Sequence, residues 1–224
     1  MMISLLKQAK RNILIRLDPD AKLLKRVQPY TLSSPNALKN LKRLATRVNR
    51  NGIEGDFVEC GAYKGGSAAV LATALIPEQH LWLYDSFEGM PPVSEVDGEN
   101  AKEWVGKCVA SEADAIQVLT AVGLSNTQYT IRKGWFNQTF KKPLPRRVAL
   151  LHCDADWYNS VLIVLETFYP LIPKGGCVIL DDFGYWEGCR EAFYDFCFKY
   201  GEKPLLERLG GSQASWIKGK GHNR

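Results

Sequence analysis

Five short strand-like segments, several of them apolar runs, each followed by a turn and most by a stretch of helical periodicity, constrain this chain more than any other feature. Residues 57–60, 80–84, 129–132, 148–153 and 177–180 read as strands, and residues 67–75, 112–122, 160–169 and 187–200 as helices. Residues 205–209 and 214–217, around Gly210-Gly211, read as a terminal hairpin. Strands this short and this apolar are buried on both faces. Alternating with helices, they predict an α/β fold: a mostly parallel, seven-stranded sheet with helices on both faces and a C-terminal β-hairpin. A chain of 224 residues suffices for one such domain and is too short for two comfortable ones.

Ligands of such sheets sit at the carboxyl ends of the strands. The first of those ends leads into Gly61-Ala62-Tyr63-Lys64-Gly65-Gly66-Ser67. Glycines there let a ligand approach the backbone, and the helix that follows offers a positive N-terminus. The loop fits neither G-x-G-x-x-G nor G-x-x-x-x-G-K-[ST]. Glu59 sits where a pyrophosphate would meet repulsion, which points to a ligand with an amino group. Carboxylates recur along the same rim: Glu59, Asp85, Asp154 and Asp181-Asp182 each fall at or just beyond a strand's carboxyl end. One such residue reads as a turn or cap; four strand ends are harder to attribute to capping. Asp85 stands where nucleoside-binding folds take ribose hydroxyls. Asp154 and Asp181-Asp182 end strands expected to be neighbours, ~4.8 Å apart. Carboxylates so close raise one another's pKa unless a cation intervenes, and oxygen-only ligands suit Mg2+. No Cys/His cluster has zinc-ligand spacing.

Charge and cysteines narrow the class. Residues 1–30 carry seven Lys/Arg against two Asp, and the rest of the chain is balanced, which is no footprint for nucleic acid. Six cysteines without a C-x-x-C pair, several inside apolar runs, read as reduced thiols of a cytoplasmic protein. Residues 1–17 have the pattern of a basic amphipathic helix. It can lie peripherally on an anionic membrane surface; packing on the domain or in a homo-oligomer is the plainer reading. Ser34-Pro35 then starts a second helix over 35–50. Residues 1–50 form an N-terminal helical segment, and 51–224 the main domain. Residues 86–110, rich in Gly, Pro and acids, read as a substrate lid.

These residues carry a resemblance. Glu59-x-Gly61 with Gly65-Gly66-Ser67, Asp85, and the Asp154/Asp181-Asp182 set resemble Rossmann-like class I S-adenosylmethionine-dependent methyltransferases. Further stretches are similar to the macrocin O-methyltransferase (TylF-type) family: Tyr30-Thr31-Leu32-Ser33-Ser34-Pro35, Tyr84-Asp85-Ser86-Phe87-Glu88-Gly89-Met90-Pro91, Gly134-Trp135-Phe136 with Thr139, and His152-Cys153-Asp154-Ala155-Asp156. The resemblance covers about residues 30–195. It implies transfer of methyl from S-adenosylmethionine to a sugar hydroxyl, often on a natural product, with Mg2+ held by Asp154, Asp181 and Asp182. It further implies that Gly61, Tyr63 and Ser67 line the methionine part of the cofactor with Glu59. Asp85, with Ser86 beside it, would take the ribose, and Trp135 and Phe136 would lie near the adenine.

A cation beside the acceptor would lower the pKa of its hydroxyl, and a nearby carboxylate would take the proton. Asp156 is the first candidate base and Glu103 of the lid the second. His152 lies inside an apolar strand, where a hydrogen-bonded core histidine is the plainer reading. Two alternatives stand beside the sugar. A catechol-type diol could use the same metal site, with Trp104, Trp157, Tyr158 and Trp186 as an aromatic slot. A non-catalytic S-adenosylmethionine-binding subunit is the other. The catechol O-methyltransferases place a lysine just after the first metal aspartate; Asp154-Ala155-Asp156-Trp157 has none.

Overall fold

The computed structural model describes residues 20–220, so the basic segment 1–17 and His222 lie outside the described residues. Helix α1 (Ala21–Val27) and a 3-10 turn lead to α2 (Pro35–Arg50). The start of α2 is written in the sequence: Pro35 lacks the amide that a first helical turn leaves unused, and Ser34 Oγ accepts a hydrogen bond from Ala37 N at 3.2 Å. Its buried stripe, Leu38, Leu41, Leu44, Ala45 and Val48, turns one face to the sheet.

The strands are β1 (Asp56–Cys60), β2 (Leu81–Asp85), β3 (Tyr129–Lys133), β4 (Val148–Cys153), β5 (Cys177–Leu180), β6 (Glu207–Gly210) and β7 (Gln213–Ile217). They form one sheet in the order β3-β2-β1-β4-β5-β7-β6. Strands β1 to β5 pair in parallel, and β7 runs antiparallel between β5 and β6. Helices α3 (Gly66–Ala72), α4 (Glu112–Ala121), α5 (Phe136–Thr139), α6 (Tyr158–Phe168) and α7 (Glu187–Tyr200) complete the fold. The expected elements are present within a few residues; α5 and two 3-10 turns within 95–104 were not expected from the pattern.

Alternation along β1 separates two cores. Phe57 joins Leu83, Ile179 and the inner faces of α2 and α3. Val58 and Cys60 join Tyr84, Leu151 and the inner faces of α6 and α7. Because Leu38 and Leu41 of α2 belong to the first of these cores, residues 21–50 pack as part of the same body as the strands. Among the described residues no helix is long and apolar enough to cross a membrane. The strand order reverses at β1, with β2 and β3 to one side and β4 and β5 to the other, and this opens a crevice above their carboxyl ends.

Candidate active site

The hydrogen-bond ladder runs one rung past the strands. Gly61 N donates to Tyr84 O at 2.9 Å, Asp154 N to Cys60 O at 2.9 Å, and Asp181 N to Cys153 O at 3.0 Å. Gly61, Asp154 and Asp181 therefore stand side by side on the rim. Gly61 has φ +92°, and a Cβ there would run into the carbonyl oxygen of Asp154. Only glycine lets the chain turn so close to its neighbour. The turn brings Tyr63 N to within 2.8 Å of Asp85 Oδ2, while Phe87 N donates to Oδ1 at 2.6 Å. Burial raises the Asp85 pKa against the backbone amides that hold its charged form. Each oxygen keeps acceptor capacity toward the crevice.

That crevice is a cavity of about 1110 Å³, room for a nucleoside-sized cofactor and a second ligand. Gly61, Tyr63, Ser67, Asp85, Ser86, Trp135 and Phe136 line it. Asp154, Asp156, Asp181 and Asp182 lie on its floor. The start of α2 (Ser33, Ser34, Asn36, Asn40), the hairpin (Gly210 to Gln213), Tyr185, Trp186 and Trp104 also line it. Trp157 and Tyr158 do not face it: Trp157 is buried and its indole donates to Pro91 O at 3.0 Å, and the Tyr158 hydroxyl donates to Asp195 at 2.8 Å.

The lid is fastened rather than loose. Asp97, buried, accepts from Ser94 N and Oγ at 2.6 Å each, and its other oxygen accepts from Tyr158 N, at the start of α6, at 2.7 Å. Gly188 of α7 leaves the room for Asp97, since a Cβ there would collide with it. Among the described residues, Tyr63, Phe87, Cys108 and Asp156 are the non-glycine residues with positive φ. All four lie in the loops around the crevice, where strain of roughly 1–3 kcal/mol apiece is held by the surrounding structure. Glu103 is exposed and off the cavity wall, so the lid offers no base there.

The acids form two overlapping groups. Ligand-capable oxygens of Asp154, Asp156 and Asp182 all lie within 4.8 Å of one another, as do atoms of His152, Asp154 and Asp181. The expected metal set was Asp154, Asp181 and Asp182, with Asp156 nearby as base; the structure instead groups Asp156 with Asp154 and Asp182, and draws Asp181 to His152, with Asp154 common to both groups. Burial, then the neighbouring acids, pushes Asp154 and Asp182 well above the ordinary range. Asp156 is pushed up to about 6 by burial and the Asp181 charge, against the Trp186 indole N–H that donates to its Oδ1 at 2.9 Å. Asp182 Oδ2 is buried without a hydrogen-bond partner. A tight all-oxygen set with an orphaned carboxylate oxygen fits a hard divalent cation.

Glu59 differs from expectation. It is completely buried and off the cavity wall, on the same face of β1 as Phe57. Strand pairing sets it opposite His152, whose Nδ1 lies 2.8 Å from Glu59 Oε1 and whose Nε2 lies 3.1 Å from Asp181 Oδ1. Burial lowers the His152 pKa, but hydrogen bonds to Asp181 and Glu59 and their charges outweigh it and push it up to about 10. With both nitrogens committed, His152 is a core histidine, not a base. The same contact, with one from Gln213, holds Asp181 below the ordinary carboxylate value despite its burial.

Seven strands in this order, with an acid-floored crevice opening over β1 and β4, define a class I methyltransferase. More narrowly, residues 23–216 match the macrocin-O-methyltransferase (TylF) family, and the chain belongs to this family of S-adenosylmethionine-dependent O-methyltransferases. It is 31% identical over 211 residues to the 8-demethyl-8-(2,3-dimethoxy-alpha-L-rhamnosyl)-tetracenomycin-C 4'-O-methyltransferase of Streptomyces olivaceus, covering 89% of this chain and 80% of that one. It is 28% identical to the mycinamicin III 3''-O-methyltransferase of Micromonospora griseorubida, covering 84% and 78%. The O-methyltransferase NovP superposes with a TM-score of 0.76 at 25% identity, over 85% of this chain and 83% of NovP. The calicheamicin methyltransferase CalS11, at TM-score 0.68 and 20% identity over 91% and 94%, shares the fold.

Proposed function

We propose that this chain methylates a hydroxyl of a sugar, on a glycosylated natural product or polysaccharide, with Mg2+ held by Asp154, Asp181 and Asp182. The observation that carries the reading is one cavity holding a nucleoside-type rim at Asp85 and a floor of crowded carboxylates, Asp182 Oδ2 among them without a partner. The names of the two relatives, which specify a rhamnosyl-bearing compound and a mycinamicin, support a glycosylated acceptor.

S-adenosylmethionine carries a methyl that is already electrophilic, so the chain supplies alignment and a destination for the acceptor's proton. A divalent cation, when bound, would neutralise the acids and make a hydroxyl easier to deprotonate. Asp85 takes the ribose hydroxyls, Gly61, Tyr63 and Ser67 the methionine part, and Trp135 and Phe136 the adenine. Asp156 takes the proton: the Trp186 indole donates to its Oδ1 and orients the carboxylate at the edge of the acidic floor. Tyr185, Trp186 and Trp104 on the wall keep a phenolic diol as the second reading. The test is consumption of S-adenosylmethionine with a glycoside bearing a free vicinal diol, or with a catechol, before and after chelation. Sugar-dependent turnover that EDTA stops and Mg2+ restores is expected. Full turnover after exhaustive chelation removes the cation, catechol-only turnover removes the sugar, and binding without turnover leaves an accessory subunit.

A further inference from the structure

Side-chain hydrogen bonds run without a break from Glu59 across the sheet to α2. His152 links Glu59 to Asp181, Gln213 Nε2 donates to Asp181 Oδ1 at 2.6 Å, and Asn40 Nδ2 donates to Gln213 Oε1 at 3.2 Å. The amide orientations follow from chemistry. Asn40 Nδ2 also donates to Leu209 O at 3.0 Å, and a carbonyl can only accept, so the nitrogen of Asn40 faces the hairpin. Gln213 must then present its oxygen to Asn40 and its nitrogen to Asp181. Both side-chain donors to Asp181 land on Oδ1, and neither on Oδ2. Glu59, His152 and Gln213 are almost wholly buried, so solvent has little access to the bonds among Glu59, His152, Asp181 and Gln213. Gln213 and Asn40 also line the cavity.

We infer that Gln213 is a positioning residue for the acidic centre: with His152 it pins Asp181 by one oxygen, so that Oδ2 alone is offered to a cation, and through Asn40 it couples that carboxylate to the cavity wall built by α2 and the hairpin. The inference rests on the cation reading above. Partners that orient a ligating carboxylate are worth about 10–100-fold in metal affinity.

Gln213→Met keeps the length and apolar volume of the side chain and removes both hydrogen bonds. Mn2+ affinity of the protein without acceptor, read by electron paramagnetic resonance titration, should fall about 10–100-fold. S-adenosylhomocysteine affinity, read by calorimetry, should stay within about twofold, a split that a merely structural defect would not give. Mn2+ affinity equal to wild type in folded Gln213→Met overturns the inference alone. Wild type that binds no Mn2+ overturns the cation reading and the inference with it. Should Gln213→Met not fold, Asn40→Ala, at a half-buried position, frees the Gln213 amide and should weaken Mn2+ several-fold; unchanged affinity there overturns the proposal.

Discussion

Replacing Asp182 with Asn should make the cation-free protein more stable. Three carboxylates whose oxygens lie within 4.8 Å repel one another. At that distance and an effective dielectric of about 20, one fully charged pair costs about 3.5 kcal/mol. The acids relieve much of this by taking up protons, which is why Asp154 and Asp182 sit well above the ordinary range and Asp156 at about 6. Asp182→Asn keeps the shape, removes one charge, and gives the Asp182 Oδ2 position a nitrogen donor toward the remaining acids. A net gain of about 1–2 kcal/mol at pH 8 follows, or roughly 2–8 °C in Tm for a chain of this size. The sign with pH is fixed. Between the unfolded value near 4 and the raised folded values, the folded protein binds more protons, so wild-type stability falls as pH rises, and for Asp156 the loss is complete above about 6. His152, with its folded pKa raised to about 10, contributes stability that is full below about 6.5 and is lost as pH climbs toward 10. Glu59 and Asp181 hold it in both proteins, so most of its contribution cancels in the difference between them. Melts of wild type and Asp182→Asn at pH 4.5 and 8, with EDTA, should show a gap that opens with pH; Mg2+ should then raise wild type more than the variant. An Asp182→Asn protein that melts at or below wild type at pH 8, with no pH trend in the gap, refutes the reasoning.

Two further outcomes are expected. Asp85→Ala removes charge-assisted acceptors for the ribose and frees Tyr63 N and Phe87 N, so S-adenosylhomocysteine should bind about 1.5–3 kcal/mol more weakly by calorimetry; unchanged affinity in a folded variant would displace the cofactor from this rim. Gly61→Ala meets both the φ of +92° and the Asp154 carbonyl, so it should cost about 3 kcal/mol or more and lower Tm by at least about 6 °C, checked by thermal melts; a wild-type melt would mean that the turn can open without loss.

The sheet was legible because its central strands, β1, β4 and β5, are short apolar runs, and because Asp85, Asp154 and Asp181 mark strand ends by residue type alone. Glu59 was misread for a reason the sequence did contain. Side chains alternate along a strand, so Glu59 shares the face of Phe57, beneath α2 and α3, and cannot also turn into the crevice. His152 faces the same way, one strand over. Gln213 and Asn40 lie 173 positions apart, and no local pattern announces such a pair. Asp97 was equally hidden: an acid in a lid reads as solvated until the fold brings Tyr158 N to it.

The place of β7 has a consequence for the order in which the molecule comes together. It is the last strand among the described residues, yet it is wedged between β5 and β6 rather than laid on an outer edge. Until residues 213–217 arrive, β5 presents a row of unpaired backbone N–H and C=O groups between apolar side chains, Cys177 to Leu180, open to another chain. Before that, Asp181 lacks its Gln213 partner and the crevice lacks the wall that residues 210–213 form. A nascent or truncated chain ending before β7 therefore lacks part of the cavity wall and exposes a strand edge to aggregation. Pairing of the hairpin with β5 closes both the sheet edge and the cavity wall.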